Sequence, residues 1–129
     1  HASRIARVAE NLRRMNLKQA LISAPASLFY LTGKWIAPGD RIGADINDQG
    51  DTRLYANQLF ALRGNIDAEL IEYDDTQDCV RILADGLQSG PIGIDKLWPS
   101  HFTIRLMEAR GDIRPVVGSR CVDDARMHK

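Results

Sequence analysis

Nucleophilic chemistry needs a cysteine or serine held beside a base, and this 129-residue chain offers few candidates. Its two cysteines, Cys79 and Cys121, lie far apart, with no C-x-x-C spacing and too few histidines nearby to complete a zinc site. They read as buried or half-buried free thiols that pack as small hydrophobes. His1 and His128 sit at the termini, which leaves His101 as the plausible base, in the first turn of an expected helix. Ser100 beside it fits helix capping, and no G-x-S-x-G elbow supports a dyad.

Metal and phosphate chemistry fare no better. From Asp45 to Asp51 the chain places Asp, Asn and Gly at the first, third and sixth positions of a calcium loop. The ninth position is Arg53 and the twelfth is Ala56, so a cation replaces a ligand and the bidentate glutamate is missing. A hairpin turn accounts for the same residues. Gly39 and Gly43, or Gly90 and Gly93, match neither a phosphate loop nor a dinucleotide fingerprint. Asp74-Asp75 and Asp123-Asp124 suit a turn and a helix start, where carboxylates are favoured. No self-contained active site emerges. The last segment, Cys121 to Lys129, reads as a helix without a Gly or Asn cap or a Pro stop, as expected of a piece of a longer protein.

Composition narrows the class. Seventeen basic and seventeen acidic residues cancel, so no global field draws the chain to nucleic acid. Hydrophobic residues at 44% and charged residues at 26% suit an ordinary globular protein, and the length suits one domain over residues 1–129. No segment approaches the roughly 20 apolar residues that span a bilayer. Arg4, Arg7, Glu10, Arg13 and Arg14 stand where a signal peptide would be apolar, so the expected location is cytoplasmic, without membrane contact.

The elements that would position these residues follow from periodicity. Ile5, Val8, Ala9, Leu12 and Met15 recur at spacings of three and four, predicting a surface helix over Ser3–Met15 with its arginines on the solvated face. Gln19–Ser23 is a short apolar run ahead of Pro25, as in a buried strand. Pro25 opens a helix and Gly33 closes it. Lys34 to Gly39 has no period and reads as an exposed loop. Arg41–Ile46 and Thr52–Ala56 flank Asn47-Asp48-Gln49-Gly50, predicting a β-hairpin.

Glu69–Tyr73 is the next strand. A helix follows from Asp78, with Thr76 as its expected cap, Cys79, Ile82, Leu83 and Leu87 as its stripe, and Ser89-Gly90 as its break. Pro91–Asp95 reads as a strand. Pro99-Ser100 begins a helix whose Phe102, Leu106 and Ala109 align before Gly111. Ile113–Val117 is a last strand before the terminal helix. The fold class is therefore α/β: a mixed, largely parallel sheet of about six strands, flanked by helices on both faces, with the hairpin adding an antiparallel part.

Five landmarks in order carry a resemblance: Arg4-Ile5-Ala6-Arg7, Ala20-Leu21-Ile22-Ser23, Leu28-Phe29-Tyr30-Leu31-Thr32-Gly33, Gly93-Ile94-Asp95, and Val122-Asp123-Asp124-Ala125-Arg126-Met127 with Lys129. Together they resemble the N-terminal domain of the creatinase, prolidase and aminopeptidase P family of "pita-bread" metallopeptidases. The resemblance implies a non-catalytic domain of an Xaa-Pro dipeptidase or aminopeptidase, contributing to subunit contacts and substrate access. It implies a C-terminal catalytic domain, absent from this chain, with a divalent metal pair on two aspartates, a histidine and two glutamates. No cofactor is expected in the chain itself, and the implied partners are that catalytic domain, further copies in a homo-oligomer, and a proline-containing peptide. In the family, the loop after the Tyr-x-Thr-Gly segment leans toward a neighbouring active site. Here that loop begins at Lys34-Trp35-Ile36, the expected substrate-access residues, with Trp35 as the wall and packing on its own domain as the alternative. Asp40, Arg41 and Asp45 depart from the family by making the following region more charged. Two other readings stay open: a free-standing α/β interaction or ligand-binding module, and the same domain of a creatinase-like hydrolase.

Overall fold

Successive side chains of a strand point to opposite faces, and the four residues of β1 (Gln19–Ile22) use this to serve two cores. Ala20 and Ile22 enter one hydrophobic cluster and Leu21 enters the other. The computed structural model describes residues 2–36, 41–57 and 68–127, and among these β1 lies inside a six-stranded sheet.

Around it the chain runs α1 (Ala2–Arg14), β1, α2 (Pro25–Thr32), β2 (Arg41–Asn47), β3 (Thr52–Asn57), β4 (Glu69–Tyr73), α3 (Cys79–Asp85), β5 (Gly90–Ile94), α4 (Ser100–Ala109), β6 (Ile113–Val117) and α5 (Arg120–Met127). The strand order is β4-β3-β2-β1-β5-β6. β3 with β4, β1 with β5, and β5 with β6 are parallel, whereas β2 runs antiparallel to both β1 and β3. Helices α1, α2 and α5 cover one face through Val8, Leu12, Leu28, Leu31 and Val122. Helices α3 and α4 cover the other through Val80, Leu83 and Leu106. The mixed, largely parallel sheet expected from the sequence is thus present, with helices on both faces.

The terminal helix is held in place by polar contacts as well as packing. Asn11 Nδ2 donates to the Cys121 carbonyl at 3.0 Å, and the Tyr30 hydroxyl donates to the Ala125 carbonyl at 3.3 Å. At the sheet margin, the Gly118 N–H bonds the Ile94 carbonyl at 3.0 Å. Because alternate residues of a parallel strand address its neighbour, Pro115 then turns its missing N–H away from β5, the position a sheet tolerates.

Local expectations needed correction at four places. Ser100 is the first residue of α4 and does not cap it, because Pro99 stands at the N-cap and no side chain bonds there. Asp78, not Thr76, caps α3, its Oδ1 accepting from the Arg81 N–H at 3.3 Å. Helix α3 ends at Asp85 and Gly86, ahead of Ser89-Gly90, so Leu87 is buried from a connecting segment rather than from the helical stripe. Ala109 is exposed, because the inner face of α4 is carried by Leu106 and half-buried Phe102. Ala37, Pro38 and Gly39 of the expected loop, Asp40 after it, and His128 and Lys129 of the terminal segment lie outside the described residues.

Candidate functional site

The Lys34–Ile36 segment is positioned by α2, and α2 is fixed at both ends. Its start has no side-chain cap of its own at Ala24. The carboxylate of Asp95, only 4% exposed, reaches across from the end of β5 instead. Asp95 Oδ2 accepts the N–H groups of Ser23 and Ala24 at 3.0 and 2.9 Å, while Oδ1 accepts that of Leu97 at 2.9 Å. A side chain thereby fills the gap at the strand ends where an open α/β sheet would otherwise offer backbone donors to an external anion.

At the other end, Gly33 adopts a left-handed conformation with φ of 80° and donates its N–H to the Phe29 carbonyl at 2.9 Å. Thr32 Oγ1 donates to the Leu28 carbonyl at 2.7 Å and accepts the Lys34 N–H at 3.2 Å. These contacts turn the chain outward and then back. The three expected access residues separate as a result: Lys34 is half-buried, Trp35 is 67% exposed, and Ile36 is 1% exposed within the α1–α2–α5 core. Ile36 therefore anchors the loop from inside the domain and has no surface to offer a substrate. Trp35 is absent from that core cluster; its ring lies beside the half-exposed Phe29, with centroids 6.2 Å apart and planes tilted by 54°.

A second polar cluster was not singled out from the sequence. Asp45 is buried and takes a two-pronged contact from Arg53, Nε to Oδ1 at 3.0 Å and Nη2 to Oδ2 at 2.7 Å. The Tyr55 hydroxyl donates to Oδ2 at 2.8 Å, and Arg53 Nη2 also reaches the Gly86 carbonyl at 2.6 Å. Burial pushes the Asp45 carboxyl up against the opposing pull of Arg53 and Tyr55. The same contacts with Asp45 hold the Arg53 guanidinium charged, overcoming its own burial. The signal available in the sequence was the alternation Asp45, Arg53, Tyr55 on facing hairpin strands, which puts all three on one face.

This cluster also explains the failed calcium loop. Asp45 is turned inward to Arg53, while Asn47 Oδ1 accepts the Gln49 and Asp51 N–H groups, each at 3.0 Å, and closes the hairpin. Among the described residues, no group of three or more His, Cys, Asp or Glu side chains is placed to hold a metal ion. A cavity of about 660 Å³ lies beside the cluster, bordered by Asp45, Asp51, Arg53, Glu69 and Gln88.

The sequence's nucleophile candidates are dispersed. Cys121 is buried between helices, and burial, reinforced by Asp95, pushes its thiol up to about 12. Cys79 is half-buried, with its thiol also raised by burial. His101 is exposed and lies against Phe102 at 4.3 Å between ring centroids.

The sequence profile of the Creatinase/Prolidase N-terminal domain matches residues 4–128. The chain belongs to the creatinase/prolidase N-terminal domain family. Solved structures agree on the fold. A proline dipeptidase from Streptococcus pneumoniae superposes with a TM-score of 0.83 at 15% identity, over 97% of this chain and 98% of that one. An Xaa-Pro aminopeptidase from Streptococcus pyogenes gives 0.78 at 16% identity, over 96% and 95% respectively. A dipeptidase from Pyrococcus horikoshii gives 0.81 at 23% identity, where 96% of this chain covers 36% of that chain. No protein of curated function matches the sequence. Among the described residues of this family member, no helix is long and apolar enough to cross a membrane.

Proposed function

We propose that the chain is the non-catalytic N-terminal domain of a cytoplasmic Xaa-Pro dipeptidase or aminopeptidase. Its tasks in that protein are subunit contact in a homo-oligomer and control of substrate access by the Lys34-Trp35 segment. The observation that carries this reading is the 67% exposure of Trp35 on a segment clamped by Thr32 before it and by buried Ile36 after it. A large apolar ring held outward by ordered backbone suits a wall that meets another surface or a short proline-containing peptide.

On this reading, hydrolysis belongs to a following catalytic domain. Divalent metal ions bound there would supply an activated water and a polarised peptide carbonyl. Within this chain Trp35 limits the space for residues beyond the scissile bond, and Asp95 and Gly33 hold the helix and turn that place it.

Reading the coding sequence beyond Lys129 tests the proposal. The expected result is an open frame carrying the two aspartates, histidine and two glutamates of a dinuclear site. A stop codon directly after Lys129 overturns it in favour of a free-standing module, and a frame lacking those ligands overturns the peptidase assignment.

A further inference from the structure

We infer that Phe29 is a positioning residue for Trp35, and that the two rings form one aromatic ridge on the surface of the domain. The inference deepens the proposed access role and rests on it only for what the ridge meets, not for how it is built.

Three observations support it. The first is exposure: Leu28 and Leu31 on α2 are fully buried, yet Phe29 in the same helix is 46% exposed. Phe29 therefore presents about half of its surface on the outer side of α2, where it lies beside Trp35. The second is geometry. The Phe29 and Trp35 centroids are 6.2 Å apart at a 54° tilt, within the range in which the positive edge of one ring favours the negative face of another.

The third is the division of labour along the turn. Gly33 in its left-handed conformation, the Thr32 hydroxyl bonded to the Lys34 N–H, and Ile36 plugged into the core fix the backbone on both sides of Trp35. None of these fixes the side-chain torsions of the indole. Phe29 supplies the ring contact that does so, and its carbonyl also receives the Gly33 N–H that shapes the turn. One residue thus sets both the bend and the ring that rests on it. A pre-set indole loses less freedom when a proline-containing peptide meets it, so the ridge offers affinity that a freely rotating tryptophan would not.

The test is nitrogen-15 relaxation of the indole N–H groups in the 129-residue chain, with Trp35 assigned by Trp35→Phe. Trp98, buried on the opposite face of the sheet, serves as the internal standard for folding. The native Trp35 indole should have an order parameter near the rigid limit of about 0.85, and Phe29→Ala should lower it below about 0.6 with Trp98 unchanged. Phe29→Tyr should keep the native value. Phe29→Leu, which retains bulk and helix propensity without a ring, should loosen the indole as Ala does and decides the matter if Phe29→Ala fails to fold. An unchanged Trp35 order parameter in folded Phe29→Leu or Phe29→Ala overturns the inference. In the full-length protein, Phe29→Ala should shift peptide-length preference in the same direction as Trp35→Ala. Loosening of the indole without that shift upholds the positioning role and overturns the access reading.

Discussion

Asp45 and Arg53 are register partners across β2 and β3, joined by two hydrogen bonds of 3.0 and 2.7 Å, and Arg53 is also the link from this hairpin to the Gly86 carbonyl at the end of α3. Removing the cation would leave a buried carboxylate that, among the described residues, is held by Tyr55 alone. Breaking such pairs costs about 3–5 kcal/mol when fully buried. The Arg53 side chain is 29% exposed, so Arg53→Met should lower stability by about 2–3 kcal/mol, measured as a shift in urea midpoint at unchanged slope.

The acid limb of stability is set by other carboxylates. Arg110 and Ser89 hold Asp112 well below its ordinary value, and the Arg81 N–H with Arg105 lowers Asp78. A folded value below the unfolded 3.8 means stabilisation that is present above pH 3.8 and lost as pH falls through the folded value. Asp45 acts with the opposite sign: its raised value gives a contribution that is full below 3.8 and lost as pH rises through the folded value. Asp112→Asn should therefore flatten the decline of stability below pH 3.8 in urea titrations at stepped pH, whereas Asp45→Asn should leave that limb alone.

Much of this was legible because local and tertiary signals agree. The short apolar run of Ala20, Leu21 and Ile22, the Pro25 start and the Gly33 stop each call for the element that forms. Where sequence reasoning failed, a competing interaction from elsewhere in the fold decided. Thr76 bonds Asp74 instead of capping α3, and Leu87 keeps its burial after the helix has ended. The Lys34-Trp35-Ile36 segment was identifiable as a loop, but which of three adjacent residues turns inward depends on the void between α1, α2 and α5, a property no single segment carries. Asp95 was visible as part of a family landmark, yet its bonds to Ser23 and Ala24 span more than 70 positions.

Those long-range bonds make Asp95 a sensitive position. Asp95→Ala deprives three backbone N–H groups of their acceptor, and orphaned buried donors cost about 1–3 kcal/mol each. A loss of at least about 3 kcal/mol is expected, with faster amide exchange at Ser23 and Ala24 as the local signature. Asp95→Asn, which keeps one acceptor oxygen, should lose less.

Two glycines separate steric need from turn preference. A Cβ on Gly118 would stand 2.4 Å from the Gly93 Cα, a backbone atom that cannot move aside, whereas a Cβ on Gly111 meets nothing within 4 Å. Gly118→Ala should destabilise by about 1–3 kcal/mol through overpacking, and Gly111→Ala should stay within about 0.5 kcal/mol of the parent. Thermal unfolding of the two variants side by side provides the comparison.

The central claim is that this domain shapes substrate access through the exposed indole of Trp35. The most direct measurement is the ratio of kcat/KM for an Xaa-Pro dipeptide to that for a longer Xaa-Pro peptide, in the full-length protein and its Trp35→Ala variant. The account predicts that Trp35→Ala shifts this ratio toward the longer peptide by about tenfold, the equivalent of roughly 1.4 kcal/mol. An unchanged ratio together with an unchanged KM contradicts it.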